Sequence, residues 1–129
     1  MLATANNFMY DLKSKGLSFT QKEEADGSVL IKIPYKKQNI NVKFYGQGGK
    51  KLMMLSYLGE SQLAFPQKKL NKFNNDYDLI KFYASEDGNV FAEIDAIVTA
   101  DTAAEIGLEL LIRFVTITDE LEEEIATLF

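Results

Sequence analysis

Two short stretches in the first half of the chain alternate with a period of two and stand almost end to end. Val29, Ile31, Ile33 and Tyr35 are spaced by Leu30, Lys32 and Pro34, and after polar residues 36–39, Ile40, Val42 and Phe44 are spaced by Asn41, Lys43 and Tyr45. A strand sends successive side chains to opposite faces, and β-branched and aromatic residues suit its pleated surface. Two such runs joined by a short polar turn predict neighbouring antiparallel strands. Pro34 cannot donate a ladder hydrogen bond and belongs at a strand end or edge. Whatever else the chain forms must pack around this hairpin.

The flanking segments supply the rest of a sheet and its helices. Asp26-Gly27 favours a two-residue hairpin turn, so a strand should enter it and another leave. Gly46-Gln47-Gly48-Gly49 breaks the alternation as a flexible hairpin, and residues 51–58, apolar on both sides, predict a central strand covered on both faces. Residues 78–85 predict a further strand, which Glu86-Asp87-Gly88-Asn89 turns into a partner where Val90, Ala92, Ile94, Ala96 and Val98 alternate with Phe91, Glu93, Asp95 and Ile97.

Helices read from the 3.6-residue spacing. Residues 2–15 carry Leu2, Ala5, Phe8, Met9 and Leu12 on one side and stop at Gly16. Pro66 opens a short basic helix with Leu70 and Phe73 three apart. Thr102 and Glu105 form a capping-box pattern ahead of a long stripe of Ile106, Leu110, Phe114, Ile117, Leu121, Ile125 and Leu128. The order α-β-β-β-(β)-α-β-β-α, without repeats or linkers, predicts one α+β domain over residues 1–129, a twisted antiparallel sheet with helices packed against it.

Composition narrows function by exclusion. The 129 residues include no Cys and no His. Disulfides, thiol nucleophiles, histidine bases and the common zinc, copper and iron ligand sets are therefore missing. No catalytic residue, metal site or cofactor is expected. No apolar run is long enough to span a membrane and the N-terminus lacks signal-peptide character, so a soluble, cytoplasmic protein is expected.

Charge is segregated along the chain. Residues 1–81 hold 13 lysines and 7 acids, a net +6, whereas residues 82–129 hold one arginine and 12 acids, a net −11. Residues 32–72 alone carry nine lysines against one acid, Glu60. Lys32, Lys36, Lys37, Lys43, Lys50 and Lys51 are thus a candidate basic surface for an acidic partner. The acids at 119–124 oppose a helix C-terminal dipole, which hints at a basic neighbour within 32–72 of the same or another subunit.

Three motifs reduce to structural readings. Glu93 and Asp95 share a strand face with Phe91 and Ile97, but no third ligand or base stands near them in the sequence, so a solvated face is expected. The glycines at 46–49 have neither the spacing nor the following helix of a phosphate loop. Lysines interleaved with Tyr35, Phe44, Tyr45 and Tyr57 raise a small-ligand or nucleic-acid surface as the alternative function. An acidic whole chain, and Phe44 and Tyr45 on opposite faces, argue against nucleic acid.

In the C-terminal half, Leu70-Asn71-Lys72-Phe73-Asn74-Asn75-Asp76-Tyr77, a strand, Glu86-Asp87-Gly88-Asn89-Val90-Phe91-Ala92-Glu93-Ile94-Asp95 and a long last helix resemble the YbjN family. That family is described as bacterial sensory transduction regulators and is similar in fold to class I type III secretion chaperones. The resemblance implies a non-enzymatic, protein-binding role, chaperone-like or regulatory. It supplies no catalytic residues. Along the last helix Leu108, Leu111, Ile112 and Val115 widen the apolar arc beyond what one sheet face can cover: either the opening helix covers them within one monomer through Phe8, Met9 and Leu12, or they are the candidate self-association surface of a homodimer, the reading that the family resemblance favours.

Overall fold

The computed structural model describes residues 2–129. Helix α1 (Ala3–Ser14) leads into four strands, β1 (Thr20–Glu23), β2 (Val29–Tyr35), β3 (Gln38–Tyr45) and β4 (Lys51–Glu60). Helix α2 (Pro66–Asp76), strands β5 (Lys81–Ala84) and β6 (Asn89–Ile97), and helices α3 (Ala103–Glu120) and α4 (Glu122–Ala126) complete the chain. All six strands form one antiparallel sheet in the order β1-β2-β3-β4-β6-β5. The α+β architecture and element order agree with the sequence expectation.

The helices cover one face of this sheet. Val29, Ile31, Ile33, Ile40, Val42, Phe44, Leu52, Met54, Val90, Ala92, Ile94 and Phe82 are buried against Phe8, Met9, Leu12, Leu70, Phe73 and Phe114. Phe8 meets Phe44 with ring centroids 5.5 Å apart, and Phe73 meets Phe82 edge-on at 5.4 Å. Helices α1 and α3 approach closely at Gly107, where a Cβ atom would stand 2.5 Å from Phe8 Cδ1.

Residues 51–58 are corrected by this layering. Leu52, Met54 and Ser56 are buried, but Met53 and Leu55 are only partly so and Tyr57 is exposed. With the helices on one side, no helix among the described residues covers the second face. Other differences are local. The first hairpin closes with Glu24 N–H donating to the Ser28 carbonyl, so its loop is residues 25–27 rather than Asp26-Gly27 alone; Gly27 takes the positive φ of 86° that this turn requires. Lys36-Lys37 alone makes the β2–β3 turn. Strand β5 is shorter than residues 78–85, because Ile80 leaves the ladder to enter the core.

The glycine turn at 46–49 is a hairpin, but a clamped one. Thr4 Oγ1 donates to the Gly49 carbonyl at 2.8 Å, and Gly49, buried at φ 66°, has no room for a Cβ beside Leu2 and Thr4. The capping box does not form. Thr102 Oγ1 instead accepts from the Thr99 N–H at 2.9 Å, which fixes the loop entering α3. The last helix is also not continuous: at Leu121 (φ −95°, ψ 7°) the chain restarts as α4 and buries Leu128. That restart places Glu122, Glu123 and Glu124 in a first turn, where free N–H groups favour negative charge, so they no longer oppose a dipole.

The outer edge of the sheet at β5 is closed by side chains of α2. Asn74 accepts from Phe82 N–H at 2.7 Å and donates to the Phe82 carbonyl at 2.8 Å, mimicking a neighbouring strand, while Gln67 accepts from Ala84 N–H at 2.9 Å. An exposed edge is a template for unwanted pairing, and these amides occupy it.

Candidate interaction surfaces

Helix α3 lies beside α1, so part of its wide apolar arc is used inside the chain. Leu110, Leu111 and Phe114 are buried and Leu108 and Val115 half-buried, but Ile112 remains 56% exposed. Leu108, Leu111, Ile112 and Val115 together line a groove of about 390 Å³ whose other wall is Leu17, Ile33, Pro34, Tyr35 and Ile40. The four residues singled out for self-association are thus brought together, with Leu111 at the floor and Ile112 at the rim.

Next to this groove a polar chain fastens the end of α3 to the β2–β3 hairpin. Tyr35 Oη donates to Asp119 Oδ2 at 2.6 Å and Lys36 Nζ to Asp119 Oδ1 at 2.8 Å. Ser56 Oγ donates to Gln38 Oε1 at 2.6 Å, and Gln38 Nε2 donates to Thr118 Oγ1 at 3.1 Å. Lys36 and then Tyr35 hold the Asp119 carboxyl below its ordinary range, while the bond to Asp119 pushes the Tyr35 hydroxyl up. The basic neighbour of the acidic run is therefore Lys36 of the same chain. Tyr77 Oη donates to Glu120 at 2.9 Å, and Lys69 donates to Thr127, tying further parts of the C-terminal segment to α2.

The six candidate lysines do not form one surface. Lys36 and Lys37 occupy the hairpin tip and Lys50 the β3–β4 turn, whereas Lys32, Lys43 and Lys51 project from the uncovered face of the sheet. Register fills in that face. Thr20, Lys32, Asn41, Leu55, Glu93 and Lys81 form one cross-strand row; Lys22, Leu30, Lys43, Met53 and Asp95 form the next. Tyr57, Phe91 and Tyr83 form an aromatic row, with centroid separations of 5.5 and 5.4 Å, and Ile97 stands 80% exposed at the other end.

Glu93 and Asp95 do share this face, as their spacing implied. Partial burial, followed by the negative Glu93, pushes Asp95 up to about 6. Glu93 is held low, first by its hydrogen bond with Asp95 and then by the Tyr83 hydroxyl, which donates to it at 2.8 Å. Burial and that bond raise the Tyr83 hydroxyl to about 12. Among the described residues, no group of three or more Asp, Glu, Cys or His side chains is placed to hold a metal ion. That the second face, apolar at Met53 and Leu55, is left open is what sequence reading missed. Its signal was the pairing of Met53 and Leu55 with the polar residues of β3, visible only once the register is known.

A family model described as "Putative bacterial sensory transduction regulator", YbjN, matches residues 11–128. The chain belongs to the YbjN family. YbjN from E. coli has a solved structure that superposes on this YbjN domain with a TM-score of 0.64 at 12% identity, covering 96% of each chain. The Yersinia pestis type III secretion chaperone SycH, solved in complex with a stable fragment of YscM2, gives a TM-score of 0.56 at 13% identity over 98% of this chain and 99% of SycH. At such identities the likeness is one of fold. Among curated protein sequences none matches significantly. Among the described residues no helix is long and apolar enough to cross a membrane.

Proposed function

We propose that this YbjN chain is a single, cytoplasmic, non-enzymatic domain that works by binding another protein, chaperone-like or regulatory, and that it does so as a homodimer joined along α3. The observation that carries the reading is Ile112, an aliphatic side chain 56% exposed in the middle of an 18-residue helix, at the rim of a groove lined by Leu108, Leu111 and Val115. An isolated exposed aliphatic residue is ordinary, but one that caps a contiguous apolar groove marks an interface. The SycH structure supports the protein-binding half of the proposal, because a neighbour in fold holds a protein fragment. The ligand or nucleic-acid alternative is weakened by the dispersal of the six lysines and by the use of Lys36 on Asp119.

Sedimentation velocity tests the dimer. Wild-type protein at ~100 μM should sediment as a dimer, since a standard interface is well populated at that concentration. Ile112→Glu, and Leu108→Glu combined with it, should give a folded monomer by circular dichroism. A wild-type monomer at that concentration refutes the homodimer. A variant that keeps the wild-type oligomeric state assigns the contact to another surface.

A further inference from the structure

The uncovered sheet face lies away from the α3 groove of the proposed dimer. Apolar Leu30, Met53 and Leu55 stand in its middle rows, with Phe91 towards one end and Ile97 at the other, and its β1–β4 side carries Lys22, Lys32, Lys43 and Lys51. Among the described residues Lys32, Lys43, Lys51 and Lys81 have no carboxylate within 4.0 Å; the four ion pairs of the structure are Lys15–Asp11, Lys22–Glu24, Lys36–Asp119 and Arg113–Glu109. Lys43 and Lys51 instead lie over the Tyr45 ring, at 5.8 and 6.0 Å from its centroid. Positive charges left unpaired around a half-buried apolar strip are arranged to complement a ligand of opposite sign with its own apolar side chains.

We infer that this face binds an extended, acidic segment of a partner protein, with its apolar side chains over Met53, Leu55 and Ile97 and its carboxylates towards Lys32, Lys43 and Lys51. The inference rests on the protein-binding reading and names the surface and the chemistry of the client. Glu93 and Asp95 bound the site on the β6 side and fix polarity: a segment acidic throughout is repelled there, and one with its acids confined to the β2–β3 side is not. A nucleic acid fits less well. Tyr83 and Phe91 are stacked on each other with 24° between planes, so their ring faces are not both free for bases, and a phosphate backbone crossing the sheet would meet the Glu93–Asp95 pair.

The probe is a fluorescein-labelled peptide of about a dozen residues with its glutamates confined to one half and leucine and phenylalanine in the other, long enough to cross the face at ~3.3 Å per residue. Fluorescence anisotropy at low ionic strength should show saturable binding that a lysine-for-glutamate version lacks. Lys32→Glu with Lys43→Glu should weaken it at least about tenfold, and Ile97→Asp by about tenfold, the order of one lost aliphatic contact. All of these side chains reach solvent, and circular dichroism checks that the fold is intact. No binding, equal binding of the basic peptide, tighter binding of oligothymidylate, or insensitivity to all three substitutions overturns the assignment. So does displacement of the peptide by raising the protein's own concentration, which would make a second copy the occupant. Ile112→Glu separates the two proposals: it should abolish the dimer and leave peptide affinity per protomer unchanged.

Discussion

Gly107→Ala sets helix propensity directly against packing. In an exposed helix the change would stabilise the protein by about 0.5–1 kcal/mol, because glycine loses more backbone freedom on folding than alanine does. Here the new methyl would stand 2.5 Å from Cδ1 and 2.7 Å from Cε1 of Phe8. Phe8 is fully buried and its ring is backed by Phe44, so it has no space to retreat into and α1 must shift away from α3. Overpacking of that kind costs ~1–3 kcal/mol, which outweighs the propensity gain and leaves a net loss of about 1–2 kcal/mol. With ~2 cal/mol/K of unfolding entropy per residue over 129 residues, that is a fall of about 4–7 °C in Tm. Thermal melts by circular dichroism read it. Phe8→Leu should itself destabilise, yet in the double variant the two losses should sum to about 1 kcal/mol less than additivity, because the smaller side chain makes room for the methyl. A Gly107→Ala protein as stable as wild type would refute the close packing of α1 on α3.

Three further outcomes follow from the polar contacts. Asn74→Ala removes both mimicked strand bonds to Phe82 and should cost about 1–2 kcal/mol by chemical denaturation, with more concentration-dependent aggregation as the β5 edge opens. Asp95→Asn should raise Tm at pH 7.5 relative to wild type and lose that advantage near pH 4.5: the folded value of about 6 lies above the unfolded ~3.9, so this group's contribution falls as pH rises between them, and above 6 Asp95 and Glu93 repel. Asp119→Asn should lower Tm at neutral pH with a deficit that shrinks on acidification, since a carboxyl held low by Lys36 and Tyr35 stabilises above its unfolded value and ceases to do so as pH falls through its folded one.

What the sequence made legible was whatever obeys a single local period. β2 and β3 were readable because Val29 to Phe44 keep strict alternation around one turn, and the same rule put Phe91, Glu93, Asp95 and Ile97 on one face. β4 was misread for a physical reason: Met53 and Leu55 are as apolar as Leu52 and Met54, and composition cannot tell an apolar residue on an open face from one held for the core. The stop at Leu121 was hidden because Ile117, Leu121, Ile125 and Leu128 continue a helical stripe, while the chain turns there to bury Leu128. The α3 groove was half legible. The excess arc pointed to Leu108, Leu111, Ile112 and Val115, but how much α1 would take of it depends on Gly107, whose missing side chain lets Phe8 in. The Asn74 clamp left no local trace, since an amide becomes a surrogate strand only when α2 is laid along β5.

The two proposed surfaces also bear on each other. The α3 ridge is apolar at Leu108 and Ile112 and flanked by Glu105 and Glu109, which is the chemistry inferred for a client of the open sheet face. One copy's ridge on another's sheet would be a head-to-tail contact, and such contacts propagate into open chains unless their rotation closes. The proposed symmetric α3–α3 contact would prevent this by consuming the ridge of both copies at once. It leaves the sheet faces free, because they lie on the side of each protomer away from the helices. Glu109 is further restrained by its 3.0 Å pair with Arg113. The proposed dimer would thus reserve the basic, half-apolar sheet face for a different protein.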